Sequence, residues 1–311
     1  MSAFISIIIP LYNKERFIDN TLNSVFNQSF KNFEIIIIDD VSTDRSMDIV
    51  NKLNEENPGF LKILKNQSNQ GVGYTRNQGL KRAVGDYILF LDADDQLVST
   101  QVLNQLVLIL ENYNIDVLLL KRTYPNFIDK PSYDRVQSFL EAIDNPLYKI
   151  TNYENFAAYG DFPFGGSGSM IMKRTIAQKH RFDEHTQRFE DWLYFIPVYL
   201  ENHPYFYNQT CIEVIYDNQS LSNKPQTKAI ELPAVYFYLK AHKHKGLPKK
   251  LFWKIFLGFI DVDKGLITNL KTIWSYRSMI LKNHQWSCFV LKKERSVMVK
   301  LIKSLFTSKN R

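Results

Sequence analysis

The sequence contains few cysteines: Cys211 and Cys288 are the two among 311 residues. A pair so small and so distant excludes a disulfide framework and a thiolate metal site, and it fits a reducing compartment. Long apolar runs are missing too, since none approaches the ~20 residues that cross a bilayer. The run over 4–9 is too short for a secretion signal and lacks a cleavage region. These absences predict a cytoplasmic protein.

Acidic residues are scarce in the C-terminal part of the chain. From Lys240 onward there are 17 Lys and Arg against 3 Asp and Glu, whereas the preceding residues hold 22 against 29. Apolar residues recur there at helical spacing, as at Leu251, Phe252 and Ile255, so we expect a basic helical region over 224–311.

Such a basic region can bind an anionic membrane surface, which would place the protein at the inner face of the cell membrane. The alternatives are helices that pack on one another or on a second subunit, and a tail that binds a polyanionic polymer. Nucleic acid is not an expected partner, because no nucleic-acid-binding motif is present. The sequence does not indicate the oligomeric state.

The first part of the chain contains apolar β-type segments that end abruptly in polar residues: 4–9 before Pro10 and Tyr12, 33–38 before Asp39 and Asp40, and 87–91 before Asp92, Asp94 and Asp95. Helical spacing over 14–28, 44–56 and 71–83 separates such segments and predicts an α/β fold with a mostly parallel central sheet and flanking helices. We expect Pro10 to break the first strand. Ligands bind outside the carboxyl ends of parallel strands, so the polar residues should share one site.

Asp92 and Asp94 lie one residue apart and offer the hard oxygen ligands that Mg²⁺ and Mn²⁺ prefer. A divalent cation at this point can bridge a diphosphate and neutralise the charge of a departing nucleotide. The alternative is a solvated turn whose acids cap the following helix.

Four motifs follow one another along the chain: Ser-Ile-Ile-Ile-Pro-Leu-Tyr-Asn from Ser6, Asp-Asp-Val-Ser-Thr-Asp from Asp39, Asn-Gln-Gly-Val-Gly-Tyr-Thr-Arg-Asn from Asn69, and Asp-Ala-Asp-Asp from Asp92. In this order they resemble the inverting glycosyltransferases of family 2, which have the GT-A fold. The resemblance implies a catalytic domain over 1–223, with a nucleotide-binding half over about 1–98 and an acceptor-binding half over 99–223. It also implies a nucleotide-sugar donor, usually a UDP-sugar, and Mn²⁺ or Mg²⁺.

By this resemblance, Pro10, Tyr12 and Glu15 line the uridine pocket, and Asp40 accepts a hydrogen bond from the uracil ring. Val41 stands where the family commonly has glycine, a difference that we expect to be harmless. For Glu15 the alternative is an ordinary acid in the first turn of a helix.

The resemblance also places Arg76 near the base and the diphosphate, in a stretch where Gly71 and Gly73 let the backbone approach a ligand closely. Asp92 matches the residue that binds the ribose, and Asp94 matches the metal ligand of the Asp-x-Asp motif. The alternative for Arg76 is a charge on the surface of a helix.

On the acceptor side, Glu190 and Asp191 precede apolar residues at helical spacing, which predicts a helix from about Asp191. The resemblance implies that Asp191 is the general base and that Glu190 is the second choice. A helix N-terminus stabilises the carboxylate, while desolvation raises its pKa, and that balance suits proton abstraction from a hydroxyl group. The alternative is an acid of purely structural use. A loop over 164–169, rich in glycine and serine, is expected either to line the sugar site or to form a flexible turn.

These features predict a metal-dependent inverting glycosyltransferase of polysaccharide biosynthesis. It would transfer a hexosyl or N-acetylhexosaminyl group to a hydroxyl group of a glycan or a lipid-linked acceptor. The alternative from another class is a non-catalytic sugar-binding or membrane-anchoring module that retains the fold. Such a module would be expected to have lost one of its acids, and Asp40, Asp92, Asp94 and Asp191 are all present. A nucleotidyltransferase is disfavoured, because no glycine-rich, lysine-bearing phosphate loop follows the first strand.

Overall fold

The computed structural model describes residues 4–123, 136–153, 155–156, 168–185 and 190–215. The predicted loop up to Ser167 and the basic region over 224–311 lie outside these residues. The elements in chain order are β1 (Ile5–Leu11), α1 (Ile18–Phe26), β2 (Phe33–Asp39), α2 (Ser46–Glu56), β3 (Leu61–Lys65), α3 (Val72–Arg82), β4 (Tyr87–Phe90), β5 (Asp95–Leu97), α4 (Val102–Asn112), β6 (Val117–Thr123), β7 (Leu140–Asp144), β8 (Leu147–Ile150), β9 (Met170–Lys173), α5 (Arg174–Ala177), α6 (Glu190–Asn202) and β10 (Tyr205–Val214).

The strands form one sheet in the order β3-β2-β1-β4-β9-β6-β10-β8-β7, and β5 pairs with β10. From β3 to β4 the neighbours are parallel, as are β6 and β10. In contrast, β9 runs antiparallel to both β4 and β6, and the other pairings are antiparallel as well. The predicted α/β fold is confirmed, but the described sheet is parallel in its first half and mixed in its second.

Both faces of the central strands are covered, which is why their sequences are apolar without alternation. On one face, Ile7, Ile37 and Leu89 belong to a core that also contains apolar residues of α1, α2 and α4. On the other face α3 lies very close to the sheet: a Cβ added to Gly79 would be 2.4 Å from Cγ2 of Ile8. This close packing fixes α3 above the strands that carry the polar ends.

Pro10 lies inside β1, so the expectation that it breaks the strand was wrong. It stays in register with Ile38 on the β2 side. On the β4 side the pairing ends at Ile8 and Phe90, where the Ile8 carbonyl accepts the Leu91 N–H. The backbone groups of successive residues in a strand point alternately to its two neighbours, so the nitrogen of Pro10 points to the β4 side, as the backbone of Ile8 does. Pairing with β4 has already ended there, so the N–H that proline lacks is not needed for a hydrogen bond of the sheet.

Within the described ranges, no helix combines the length and the apolar character that a membrane span requires.

Candidate active site

The loops that follow β1 and β2 are hydrogen-bonded to each other at the carboxyl edge of the sheet. Asn13 Oδ1 accepts the Thr43 N–H at 2.8 Å, and the Asn13 N–H donates to Ser42 Oγ at 3.1 Å. Glu15 Oε2 accepts from the backbone N–H and from Nε of Arg45, at 3.0 and 3.3 Å. Glu15 therefore fixes the start of α2 in this structure, and its predicted contact with uridine stays a prediction.

Asp40 is 4% exposed, and both of its carboxylate oxygens accept hydrogen bonds from the protein. Oδ1 accepts from Asn66 Nδ2 at 2.7 Å and from the Gln70 N–H at 2.9 Å, while Oδ2 accepts from the Gly71 N–H at 2.9 Å. An ionised carboxylate has about four acceptor sites, so there is capacity for one further donor. Asp40 holds the loop over 66–71 in place, a role that the sequence did not suggest, and its predicted contact with the uracil ring is compatible with that role.

Pro10, Tyr12 and Val41 lie at this edge of the sheet and differ in exposure and in backbone conformation. Tyr12 is 47% exposed, so its ring is accessible for stacking, while Pro10 is buried. Val41 has a φ of 64°, in the left-handed region that β-branched residues rarely adopt. Such a conformation costs on the order of 1–3 kcal/mol. Valine therefore strains the backbone at a position where glycine would not, and the expectation that it is harmless to the site stays a prediction.

Arg76 is a buried guanidinium that joins two parts of the chain. Nη2 donates to Asp92 Oδ1 and Nη1 donates to Glu190 Oε1, each at 2.8 Å. The guanidinium also lies over the Phe182 ring, 5.2 Å from its centroid. The side chain is 4% exposed, and the carboxylates around it raise its pKa, although burial alone would lower it. The surface-charge alternative is therefore excluded, and the predicted contact with a diphosphate stays a prediction.

Glu190 and Asp191 form the first turn of α6, which begins one residue before the predicted start. Burial and then the adjacent Asp191 raise the pKa of Glu190 to about 7, against the opposing effect of Arg76. Glu190 is 7% exposed and Asp191 is partly exposed. The two candidate bases thus differ: one is buried against a guanidinium, and the other lies closer to solvent.

Three aspartates follow β4, and two of them face cations other than Arg76. Lys14 Nζ pairs with Asp94 Oδ2 and lowers the pKa of Asp94, whereas burial, the largest effect, and Asp92 raise it above its usual value. Asp95 is 3% exposed, and burial and the two other aspartates raise its pKa well above the usual value in spite of Arg122. Asp92, Asp94 and Asp95 therefore lie close enough to affect one another, and Arg76 joins Asp92 to Glu190.

The part of the chain that the structure describes contains no cluster of three or more His, Cys, Asp or Glu side chains arranged to hold a metal ion. A smaller ligand set is sufficient for Mg²⁺, which is often bound by one or two carboxylates together with substrate phosphates. Asp94 fits that mode, because its side chain is 15% exposed and lies among other acids at the ligand-binding edge.

Helix α3 also holds the segment that leads to α6. Asn77 Oδ1 accepts the Phe182 N–H at 3.0 Å, and Asn77 Nδ2 donates to the Phe182 carbonyl and to Glu184 Oε1 at 2.9 and 2.8 Å. A Cβ on Gly73 would lie 2.3 Å from the Asp183 carbonyl oxygen, so the close approach at Gly73 is to the chain itself. Sequence reasoning missed Asn77, because no spacing rule indicates a partner 105 residues away.

The model of glycosyl transferase family 2 matches residues 6–181. The amylovoran biosynthesis glycosyltransferase AmsB of Erwinia amylovora is 34% identical over 194 residues, which are 60% of this chain and 61% of that protein. The UDP-Glc:alpha-D-GlcNAc-diphosphoundecaprenol beta-1,3-glucosyltransferase WfaP of Escherichia coli is 44% identical over 102 residues, 33% of this chain and 39% of that protein. The chain spans between 20% and 61% of the length of such curated relatives.

Among solved structures, TarS of Staphylococcus aureus in complex with UDP-GlcNAc aligns with a TM-score of 0.59 at 25% identity. The alignment covers 72% of this chain and 62% of the TarS chain. TarS is named as a poly(ribitol-phosphate) beta-N-acetylglucosaminyltransferase. The likeness confirms the predicted GT-A fold.

Proposed function

The chain belongs to glycosyl transferase family 2, and we propose that it transfers a sugar from a nucleotide-sugar donor to a hydroxyl group of a glycan or lipid-linked acceptor in polysaccharide biosynthesis. The observation that carries the proposal is the pair of contacts made by Arg76. One buried guanidinium binds Asp92 of the predicted nucleotide-binding half and Glu190 of the acceptor-binding half. Acids from both halves therefore meet at the edge where ligands of open α/β sheets bind.

The proposed donor is a UDP-sugar. The crystal structure of TarS with UDP-GlcNAc and the UDP-Glc in the name of WfaP support this donor class. In this chain the ring of Tyr12 is exposed and is proposed to stack on the base, and Asp40, which has capacity to accept one more hydrogen bond, is proposed to bind the uracil ring. Asp92 is proposed to bind the ribose, with its other contact to Arg76 fixing the carboxylate.

Asp191 is the proposed general base, and transfer is proposed to invert the anomeric centre. Its carboxylate takes the proton of the acceptor hydroxyl, the acceptor oxygen forms a bond to the anomeric carbon, and the bond from that carbon to the diphosphate breaks with both electrons leaving on UDP. Glu190 is less suited, because it is buried and its Oε1 accepts from Arg76. The partial exposure of Asp191 supports its choice.

Asp94 is the proposed protein ligand of a divalent cation, Mn²⁺ or Mg²⁺. When bound, such a cation neutralises the charge that develops on the leaving diphosphate. Burial and then the charges of Asp92 and Asp94 raise the pKa of the neighbouring Asp95, and a bound cation would offset the repulsion among these carboxylates.

The basic region over 224–311 is proposed to bring the catalytic part to an anionic membrane that carries a lipid-linked acceptor. From Lys240 onward this region contains 17 basic residues and 3 acidic ones, and this imbalance supports the assignment. Sedimentation with vesicles of phosphatidylserine and phosphatidylcholine tests it, and binding should fall as salt is added. No binding to anionic vesicles at low salt would refute it.

The transfer itself is tested with a panel of UDP-sugars and Mn²⁺, scored by release of UDP. Both Asp94→Asn and Asp191→Asn should abolish the release of UDP. Asp191→Asn should still bind UDP with wild-type affinity, because the base contacts the acceptor and not the nucleotide. Asp48→Asn is the matched control, since Asp48 is an exposed acid in the first turn of α2. Wild-type rates in Asp191→Asn would exclude this residue as the base.

A further inference from the structure

The turn that carries Asp92 and Asp94 is held by two hydrogen bonds of its backbone. The Asp95 N–H donates to the Asp92 carbonyl at 3.0 Å and closes the turn. The carbonyl of Ala93, the residue between the two aspartates, accepts a hydrogen bond from the Thr21 hydroxyl at 3.0 Å. Thr21 is fully buried in α1, and Ala93 is 2% exposed. A hydroxyl group of a neighbouring helix therefore holds the backbone of the proposed donor site.

The hydrogen bond from Thr21 restrains the middle peptide unit of the turn. The Ala93 carbonyl belongs to the planar unit that joins Ala93 to Asp94, so its direction restrains ψ of Ala93 and φ of Asp94. Turns of types I and II differ in the orientation of this unit, and type II requires a positive φ at its third residue. Asp94, the third residue here, does not have a positive φ. The Thr21 hydroxyl thus stabilises one orientation of the unit, and the directions of the carboxylates on either side depend on it.

Helix α1 offers the Thr21 hydroxyl a second acceptor, which is less favourable. Oγ1 lies 3.4 Å from the Phe17 carbonyl, one turn earlier, and that carbonyl already accepts the Thr21 N–H at 3.1 Å. The contact with Ala93 is shorter and is therefore the stronger of the two. One turn further along α1, Ser24 Oγ accepts the Leu97 N–H at 3.1 Å. The helix therefore holds the segment after β4 at two points, of which Thr21 is the one between the aspartates.

We propose that Thr21 is a positioning residue for Asp92 and Asp94. Its hydroxyl holds the turn in the orientation that directs one carboxylate to the ribose and the other to the cation. The inference rests on the proposed function, which gives the two aspartates these roles. Thr21 acts through the Ala93 carbonyl and not through a contact of its own with the donor. Groups that orient ligating side chains in this way typically contribute about 10- to 100-fold to metal affinity or activity.

The test measures the dissociation constant of UDP for the full-length chain by isothermal titration calorimetry in an excess of Mn²⁺. Thr21→Val keeps the branched shape and removes the hydroxyl, so it should bind UDP about tenfold more weakly than wild type. Thr21→Ala removes the same hydroxyl and should show a similar loss. Thr21→Ser keeps the hydroxyl and should bind UDP as wild type does, although it lacks a buried methyl group.

A control on the same helix separates positioning from a general loss of stability. Ser24→Ala removes the contacts of Ser24 with the Leu97 N–H and the Thr21 carbonyl, and it leaves the donor to Ala93 in place. This variant should unfold at a lower urea concentration than wild type, as Thr21→Val should, because each loses a hydrogen bond of a side chain that is at least partly buried. Ser24→Ala should nevertheless bind UDP with wild-type affinity.

The outcomes separate this inference from the proposed function. If Thr21→Val binds UDP as tightly as wild type, or if Ser24→Ala binds it as weakly as Thr21→Val, the Thr21 hydroxyl does not position the aspartates, while binding of UDP by the wild type still supports the proposed donor. If the wild type does not bind UDP in the presence of Mn²⁺, the proposed donor class is wrong and this inference fails with it.

Discussion

Above about pH 7, where Glu190 is ionised, replacing Arg76 by methionine should destabilise the folded protein by about 3 kcal/mol, because it removes one partner of a buried ion pair. Nearly all of this loss comes from Glu190, whose side chain is 10% exposed where it meets a guanidinium that is 4% exposed. The pair with Asp92 adds less, since Asp92 is 30% exposed and solvent screens it. Lys52→Met is the control: it breaks an exposed pair with Glu56 and should cost less than about 1 kcal/mol.

The loss should depend on pH in a defined direction. The pKa of Glu190 is about 7 in the folded protein, above the ordinary value of 4.5, so the folded state holds a proton that the unfolded state has released. Stability from this group is therefore lost as the pH rises from about 4.5 to about 7. Arg76 lowers that pKa, so its removal raises the pKa further and extends the loss to higher pH. The deficit of Arg76→Met should be larger at alkaline pH than at acidic pH.

Urea unfolding followed by far-UV circular dichroism measures both effects, and a double-mutant cycle with Glu190→Gln isolates the pair. We expect a coupling free energy of about 2 kcal/mol between Arg76 and Glu190. If the two changes were additive, or if the deficit of Arg76→Met shrank as the pH rose, the buried ion pair would not be what joins α3 to α6.

Val41→Gly should raise the free energy of unfolding by on the order of 1 kcal/mol, because glycine adopts a φ of 64° without strain. Thermal unfolding measures this gain in stability. A loss of stability would show that the side-chain contacts of Val41 outweigh its backbone strain. Gly73→Ala should lower stability by about 1–3 kcal/mol, because its Cβ would overlap the Asp183 carbonyl oxygen. Gly71→Ala should lose a similar amount for a different reason: no atom lies within 4 Å of the added Cβ, but a φ of 87° with a ψ of 164° is a conformation that essentially only glycine adopts, at a cost of about 1–3 kcal/mol. Wild-type stability in Gly73→Ala would contradict the close approach at Gly73.

The first half of the sheet could be predicted from the sequence, but the pairing in the second half could not. Buried strands with polar ends, such as 33–38 before Asp40, indicate parallel neighbours and a shared edge. The strand Met170–Lys173 is equally apolar, yet it runs antiparallel to β4 and β6. A short apolar run carries no information about direction, because both arrangements bury it on two faces.

The acids of the site could be predicted, whereas their protein partners could not. Asp92, Asp94 and Glu190 were identified from motifs, and the structure brings them together. The sequence gives no means of pairing Lys14 with a carboxylate 80 residues away. Such partners depend on loop geometry and on which side chains remain buried after folding. Motifs therefore indicate the chemistry of a site more readily than the contacts that hold it.

Helix α3 shows why those contacts and the chemistry are inseparable in this protein. Its buried residues include Arg76 and Asn77, two polar side chains that a helix packed on a sheet would normally direct to solvent. Successive helical residues point about 100° apart, so Arg76 reaches Asp92 and Glu190 while Asn77 holds the backbone at Phe182. Both therefore bind the segment that carries the proposed base. The polar contacts of α3 thus hold the start of α6, which carries the proposed base, relative to Asp92 of the proposed donor site. We expect a change on this helix to disturb the alignment of the donor and the acceptor.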